Sequence, residues 1–75
     1  MEVYINLGKS SSIRCYDIGE DWIIISFKGN VTYEYNYSSS GLSHIENMKS
    51  LAIKGKGLNS YIKKYVKNNY SKKIR

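Results

Sequence analysis

Few residues in this chain could do covalent chemistry. Ser10–Ser12, Asp17 and the single histidine, His44, supply the residue types of a Ser-His-Asp hydrolase. Their setting argues against that use. No Gly-x-Ser-x-Gly turn surrounds the serines. His44 follows Ser43 in what reads as the first turn of a helix, a solvent-facing place. Cys15 has neither a second cysteine nor a histidine near it in sequence, so it reads as a buried, inert thiol. One histidine and one cysteine cannot build a common zinc site within one chain. Gly55-Lys56-Gly57 lacks the Gly-Lys-Ser/Thr of a Walker loop. Catalysis, a metal and a cofactor are therefore not expected.

The lysines offer binding chemistry instead. The net charge is +6, and it is unevenly spread. Residues 1–46 hold three basic and six acidic side chains, whereas residues 47–75 hold nine basic and none acidic. Such asymmetry points to an anionic partner, although a solvated surface also accounts for it. The candidate anion-binding residues are Lys54, Lys56, Gly57, Lys63, Lys64, Lys67, Lys72 and Lys73. Gly55-Lys56-Gly57 opening a helix can present amides and an ammonium to an anion. The same glycines equally suit a tight helix–helix turn. Residues 54–73 contain no arginine, the side chain suited to bidentate reading of phosphate or guanine, so sequence-specific recognition is not expected.

These residues must be positioned by a small fold, and the clearest element is a hairpin. Trp22–Phe27 and Val31–Tyr37 are rich in β-branched and aromatic residues and flank Gly29-Asn30. A two-residue type II′ turn there pairs Phe27 with Thr32 and Ile24 with Tyr35. It sets Trp22, Ile24, Tyr33, Tyr35 and Tyr37 on one face. Those tyrosines could stack bases, but the same face must receive the helices, so most are expected in the core. Ile23, Ile25 and Phe27 fall on the other face. They would need cover from the N-terminal strands or from a second subunit, which makes a homo-oligomer a candidate assembly.

Before the hairpin, Glu2–Leu7 alternates with Val3, Ile5 and Leu7 on one side and is predicted as a strand broken at Gly8-Lys9. Ser11–Ile18 is a weaker strand, with Ile13 and Cys15 on one face and Tyr16 and Ile18 on the other. After the hairpin, Ser43-His-Ile-Glu46 has capping-box spacing, with an earlier start possible at Ser39 or Ser40. Leu42, Ile45, Met48, Leu51 and Ala52 form a helical stripe, and Gly55 ends it. A second helix, capped by Asn59, carries Leu58, Tyr61, Ile62, Tyr65 and Val66 on its apolar side and Lys63, Lys64 and Lys67 opposite. Residues 71–75 are predicted to be a frayed basic tail beyond a single domain spanning 1–70.

The expected fold class is α+β: an antiparallel sheet of about four strands followed by two C-terminal helices. A chain of 75 residues has room for one domain. A lone cysteine allows no internal disulfide, which fits a reducing, cytoplasmic setting. No signal peptide or membrane-spanning run is read at the N-terminus or elsewhere.

Several of these residues also resemble the KTSC domain family, found C-terminally in some lysyl-tRNA synthetases. That family opens with a Ser-Ser pair, an aliphatic residue and Tyr-Asp; Ser10-Ser11-Ser12-Ile13 and Tyr16-Asp17 stand here, with a shorter gap. Phe27, Gly29-Asn30, Tyr33 and Tyr35 match its Phe, Gly turn and Tyr-x-Tyr, and Gly55, Asn59, Ile62 and Lys63 match its final segment. The family's Val-Pro is replaced by Ser38-Ser39, and its last aromatics by Gly57-Leu58. The resemblance implies a small antiparallel sheet with C-terminal helices and, by association, a link to nucleic acid. It implies no particular chemistry.

Two functions follow as expectations. The first is a non-enzymatic module that binds RNA or single strands, or another polyanion, through the lysine-rich C-terminal helix. The alternative is a small interaction or inhibitor protein, of the kind phages and mobile elements encode, that binds a host protein or a nucleotide.

Overall fold

The computed structural model describes residues 1–7 and 11–75. The expected break at Gly8-Lys9, and Ser10, lie outside the described residues. The fold is α+β, as the sequence predicts. Strands β1 (Glu2–Val3), β2 (Ile13–Ile18), β3 (Trp22–Phe27) and β4 (Val31–Asn36) form an antiparallel meander. Helices α1 (Tyr37–Ser40), α2 (Leu42–Lys54) and α3 (Leu58–Tyr61) follow, and α3 runs on as a π-helical segment, Ile62–Val66. A fifth strand, β5 (Lys72–Lys73), then pairs with β4 to complete the order β1-β2-β3-β4-β5.

The hairpin register is one residue away from the expected one. Phe27 pairs with Val31, Ile25 with Tyr33 and Ile23 with Tyr35, around the loop Lys28–Asn30. Both Gly29 (φ 88°) and Asn30 (φ 61°) take left-handed backbone. Asn tolerates that region, so the loop accommodates a third residue. A slip of one residue exchanges the faces of a strand. Ile23 and Ile25 therefore join Tyr35 in the buried core, and Trp22 and Ile24 lie half-buried across from Asn36 and Glu34. The helices cover Ile23 and Ile25, which removes the reason for a second subunit over them. Of the other expected core residues, Ile45, Ile62 and Val66 are buried and Leu51 is half-buried.

The N-terminal strands depart from simple alternation too. Ile13 pairs with Phe27 but Cys15 with Ser26, so a β-bulge lies between them. The bulge brings Ile13 and Tyr16 to the core side together and leaves Cys15 half-buried on the opposite face, not buried as expected. In the first segment the apolar alternation is inverted. Tyr4 is only 4% exposed, while Val3, Ile5 and Leu7 are 75%, 65% and 59% exposed. Tyr4 fits the core because its ring packs there and its hydroxyl finds a buried partner, the Leu58 amide, at 3.4 Å. The segment is strand only over Glu2–Val3; Asn6 (φ 57°) turns the chain, and the Leu7 amide donates to the Gly55 carbonyl at 2.7 Å.

The helices start and stop on local chemistry. Asn36 and Ser39 form a reciprocal capping box for α1: the Ser39 amide donates to Asn36 Oδ1 at 2.9 Å and the Asn36 amide to Ser39 Oγ at 3.0 Å. The expected Ser43–Glu46 box does not form, because α2 already begins at Leu42. Ile45, Met48 and Ala52 are the buried residues of α2, and Gly55 (φ 81°) ends it in left-handed backbone. Gly57, not Asn59, precedes α3. Leu58, Ile62 and Val66 are buried at a spacing of four, and the Lys67 amide donates to the Ile62 carbonyl, the bond that widens the helix to a π turn.

The C-terminal tail is not frayed. The Ser71 amide donates to the Glu34 carbonyl at 2.6 Å and the Ile74 amide to the Thr32 carbonyl at 2.7 Å. The open edge of β4 offers unpaired backbone groups, and the tail satisfies them. Tyr70 anchors the return by stacking on Tyr33, with ring centroids 4.3 Å apart.

Candidate nucleic-acid interface

Lys63, Lys64 and Lys67 project as exposed side chains from the π-helical segment and its end. Lys54 occupies the last turn of α2, where a cation complements the helix dipole. Lys56 is exposed between Gly55 and Gly57, whose φ values of 81° and 86° meet the demand of a tight helix–helix turn. Lys72 and Lys73 lie apart from this helical set, on β5. Lys72 faces Glu34 with Nζ 4.0 Å from its carboxylate, and Lys73 pairs with Tyr33. The sequence thus predicted one surface, and the structure places its lysines on α2, the turn after it, the π-helical segment with its end, and β5.

The strand tyrosines are unavailable as a stacking platform. Tyr35 is buried, and its phenol is pushed up to about 12, first by loss of solvent and then by Tyr33 and Tyr70. Tyr33 is half-buried between Phe27 and Tyr70. Tyr37 opens α1 and donates to Glu46 at 2.7 Å and to the Glu20 carbonyl at 3.2 Å. Lys49 closes the same network, with Nζ 2.9 Å from Glu46 and 2.6 Å from the Glu20 carbonyl. The Lys49 ammonium, and after it the Tyr37 hydroxyl, hold the Glu46 carboxyl below its ordinary range. The bond to Glu46 raises the Tyr37 phenol.

The accessible aromatic group lies on the helices instead. Tyr65 is 48% exposed and packs against Tyr61 at 4.6 Å and His44 at 5.6 Å, the His44 ring inclined by 30°. Lys64 Nζ sits 5.3 Å from the Tyr65 ring centre, within cation–π range. His44 is tied to this group: Nδ1 is 2.6 Å from the Tyr61 hydroxyl. Asn47 donates to the same hydroxyl at 3.1 Å. Sequence reasoning placed Tyr61 and Tyr65 in the apolar stripe. Their signal was the interleaving Tyr61-Ile-Lys-Lys-Tyr65, aromatic and cation on neighbouring positions of one turn.

The hydrolase residue types are held elsewhere. Ser11 Oγ accepts the Ile13 amide at 3.0 Å, Ser12 Oγ donates to Asn59 at 3.2 Å, and His44 is bound to Tyr61. Among the described residues, no helix is long and apolar enough to cross a membrane.

A small cleft of about 50 Å³ opens beside Lys56 and Gly57, walled by Tyr4, Asn6 and Asn59. No family model, curated protein or solved structure matches the chain.

Proposed function

We propose that this protein is a cytoplasmic, non-enzymatic module that binds single-stranded nucleic acid without sequence preference. The observation that carries the reading is the half-exposed Tyr65 set among Lys63, Lys64 and Lys67. A stacking ring beside phosphate-reaching cations is the working unit of sequence-tolerant single-strand binding. The acid-free charge of residues 47–75 supports it, and the resemblance to KTSC domains points the same way by association. Lysine reads charge and not base edges, so affinity should vary little with sequence.

The test is a salt titration on labelled RNA and DNA. Three or four phosphate contacts give a slope of log K against log salt of roughly −2 to −4. Changing Lys63, Lys64 and Lys67 together to Glu should abolish binding and spare the fold, since all three are exposed. Tyr65→Ala should weaken binding by about 1–3 kcal/mol, the range of base–aromatic stacking, with little change in salt slope. No binding at low salt, or equal binding by the triple variant, overturns the reading.

A second reading is favoured by a different region. Val3, Ile5 and Leu7 are exposed along the segment that contains the outer strand β1. An open edge flanked by apolar side chains suits addition of a strand from a host protein. The cleft beside Lys56, at about 50 Å³, is too small to enclose a whole nucleotide. Substituting Val3, Ile5 and Leu7 with Ser should abolish such protein binding and leave the nucleic-acid titration unchanged.

A further inference from the structure

We propose that the cleft between the Tyr4–Asn6 segment and the start of α3 is a seat for one phosphate group. The fold has already used part of the hydrogen-bonding capacity of the residues around this cleft. Asn6 Oδ1 accepts the Ser11 amide at 3.3 Å, and Asn59 Oδ1 accepts the Ser12 hydroxyl at 3.2 Å. Each amide therefore keeps its NH₂ for another partner. Ser11 Oγ accepts the Ile13 amide at 3.0 Å and Tyr4 Oη the Leu58 amide at 3.4 Å, so each hydroxyl keeps its proton. All four residues line the cleft, together with Lys56, Gly57 and Ser60. Among the described residues no carboxylate does.

The result is a concave site in which, among the described residues, four side chains each have an oxygen engaged as acceptor and a donor to spare. A cation is repelled there by Lys56, and a neutral ligand leaves donors unpaired. A carboxylate offers roughly four lone-pair sites, fewer than six side-chain donors can use. A phosphate end group brings three strongly accepting oxygens and close to two negative charges. The size agrees, since about 50 Å³ admits a group of a few heavy atoms and not a base. Tyr4, 4% exposed, places a buried hydroxyl in the wall, which marks a built site and not a surface lysine alone.

The phosphate can come from free inorganic phosphate or from the end of a strand; the second source rests on the nucleic-acid reading above. The two are separated by experiment. Inorganic phosphate is titrated into labelled protein and followed by NMR, with chloride at matched ionic strength as the control. Saturable shifts of the Asn6 and Asn59 side-chain NH₂ groups and the Gly57 amide are expected. Lys56→Gln and Tyr4→Phe should each weaken phosphate binding about tenfold, as loss of a charge-assisted bond does. Asn59→Asp retains an acceptor for Ser12 but sets a carboxylate in the cleft, and it should abolish binding in a protein that remains folded. Shifts that follow ionic strength alone, or phosphate affinity unchanged in Asn59→Asp, overturn the proposal.

The second arm compares one oligonucleotide with a 5′-phosphate or a 5′-hydroxyl. A preference for the phosphorylated strand that Asn59→Asp removes assigns the seat to strand ends. Equal binding of both strands, with saturable inorganic phosphate, assigns it to the free ion. Glu at Lys63, Lys64 and Lys67 should leave the inorganic phosphate titration intact, so the cleft and the helical surface can fail separately.

Discussion

The tyrosines of β4 and those of the last helix have opposite fates. Tyr33 and Tyr35 pair across from Ile25 and Ile23, on the side of the sheet that the helices cover; Tyr35 is buried in the core and Tyr33 is half-buried against it. Tyr65 lies one turn from buried Ile62 and beside buried Val66, yet half of it faces water. The difference comes from the backbone. A strand gives every second side chain one shared face. Along α3 and its π-helical continuation Leu58, Ile62 and Val66 hold the core, and Tyr65, the residue before Val66, is turned toward solvent. An aromatic residue becomes a candidate contact by virtue of the element that carries it.

Removing the buried member should have the largest effect. Tyr35→Ala empties a fully enclosed ring site and should cost about 3–5 kcal/mol, of the order of the whole stability of a small domain. Chemical denaturation should show it largely unfolded. If Tyr35→Ala melts like the parent, the placement of Tyr35 in the core is wrong. Deleting residues 71–75 tests what holds Tyr70 over Tyr33. The loss of β5 should cost roughly 1–3 kcal/mol through its unmade backbone bonds, seen as a lower melting temperature. A frayed tail would leave melting unchanged.

The Tyr37–Glu46–Lys49 network gives a smaller effect that depends on pH. The Glu46 carboxyl is lower folded than unfolded. Its contribution is therefore present above the ordinary glutamate range and is lost as pH falls through and below it. Glu46→Gln should flatten the acid limb of the stability profile and remove the lift on the Tyr37 phenol, which an alkaline spectroscopic titration reads. The smallest effect is expected at Cys15, half-buried on the face away from the helices. Cys15→Ser should leave stability within about 0.5 kcal/mol and binding unchanged, as surface substitutions do.

Much of this fold can be read from residue types. Trp22–Phe27 and Val31–Asn36 are strands where their composition demands, and the stripe Ile45, Met48, Ala52 with its glycine stop makes a helix of the expected extent. What escaped was decided by single backbone positions. Asn30 in left-handed backbone moved the register by one and exchanged the faces of β4. The bulge before Cys15 did the same to half of β2. The alternation of Val3, Ile5 and Leu7 misled because one long residue, Tyr4, fills the space that three apolar ones were expected to share. At the candidate interface the lysines were legible as charge, but Tyr65 was not legible as surface, since an apolar stripe does not declare a π turn. The cleft was hidden for another reason. Its walls come from distant stretches of chain, and its character depends on which atoms of Asn6 and Asn59 are already bonded.

The place of β5 has a consequence for the order in which the molecule assembles. Strands β2, β3 and β4 meet through short connections, whereas β5 reaches β4 only after the helices have crossed the sheet. Closing so long a loop costs more entropy than closing a hairpin. The meander and the helices can therefore form with the last seam still open, and the amides of Ser71 and Ile74 belong to the least protected layer of the structure. Native-state hydrogen exchange should find them opening independently of Ile23 and Ile25, so that Lys72 and Lys73 leave the sheet edge and return to it while the rest of the protein stays folded.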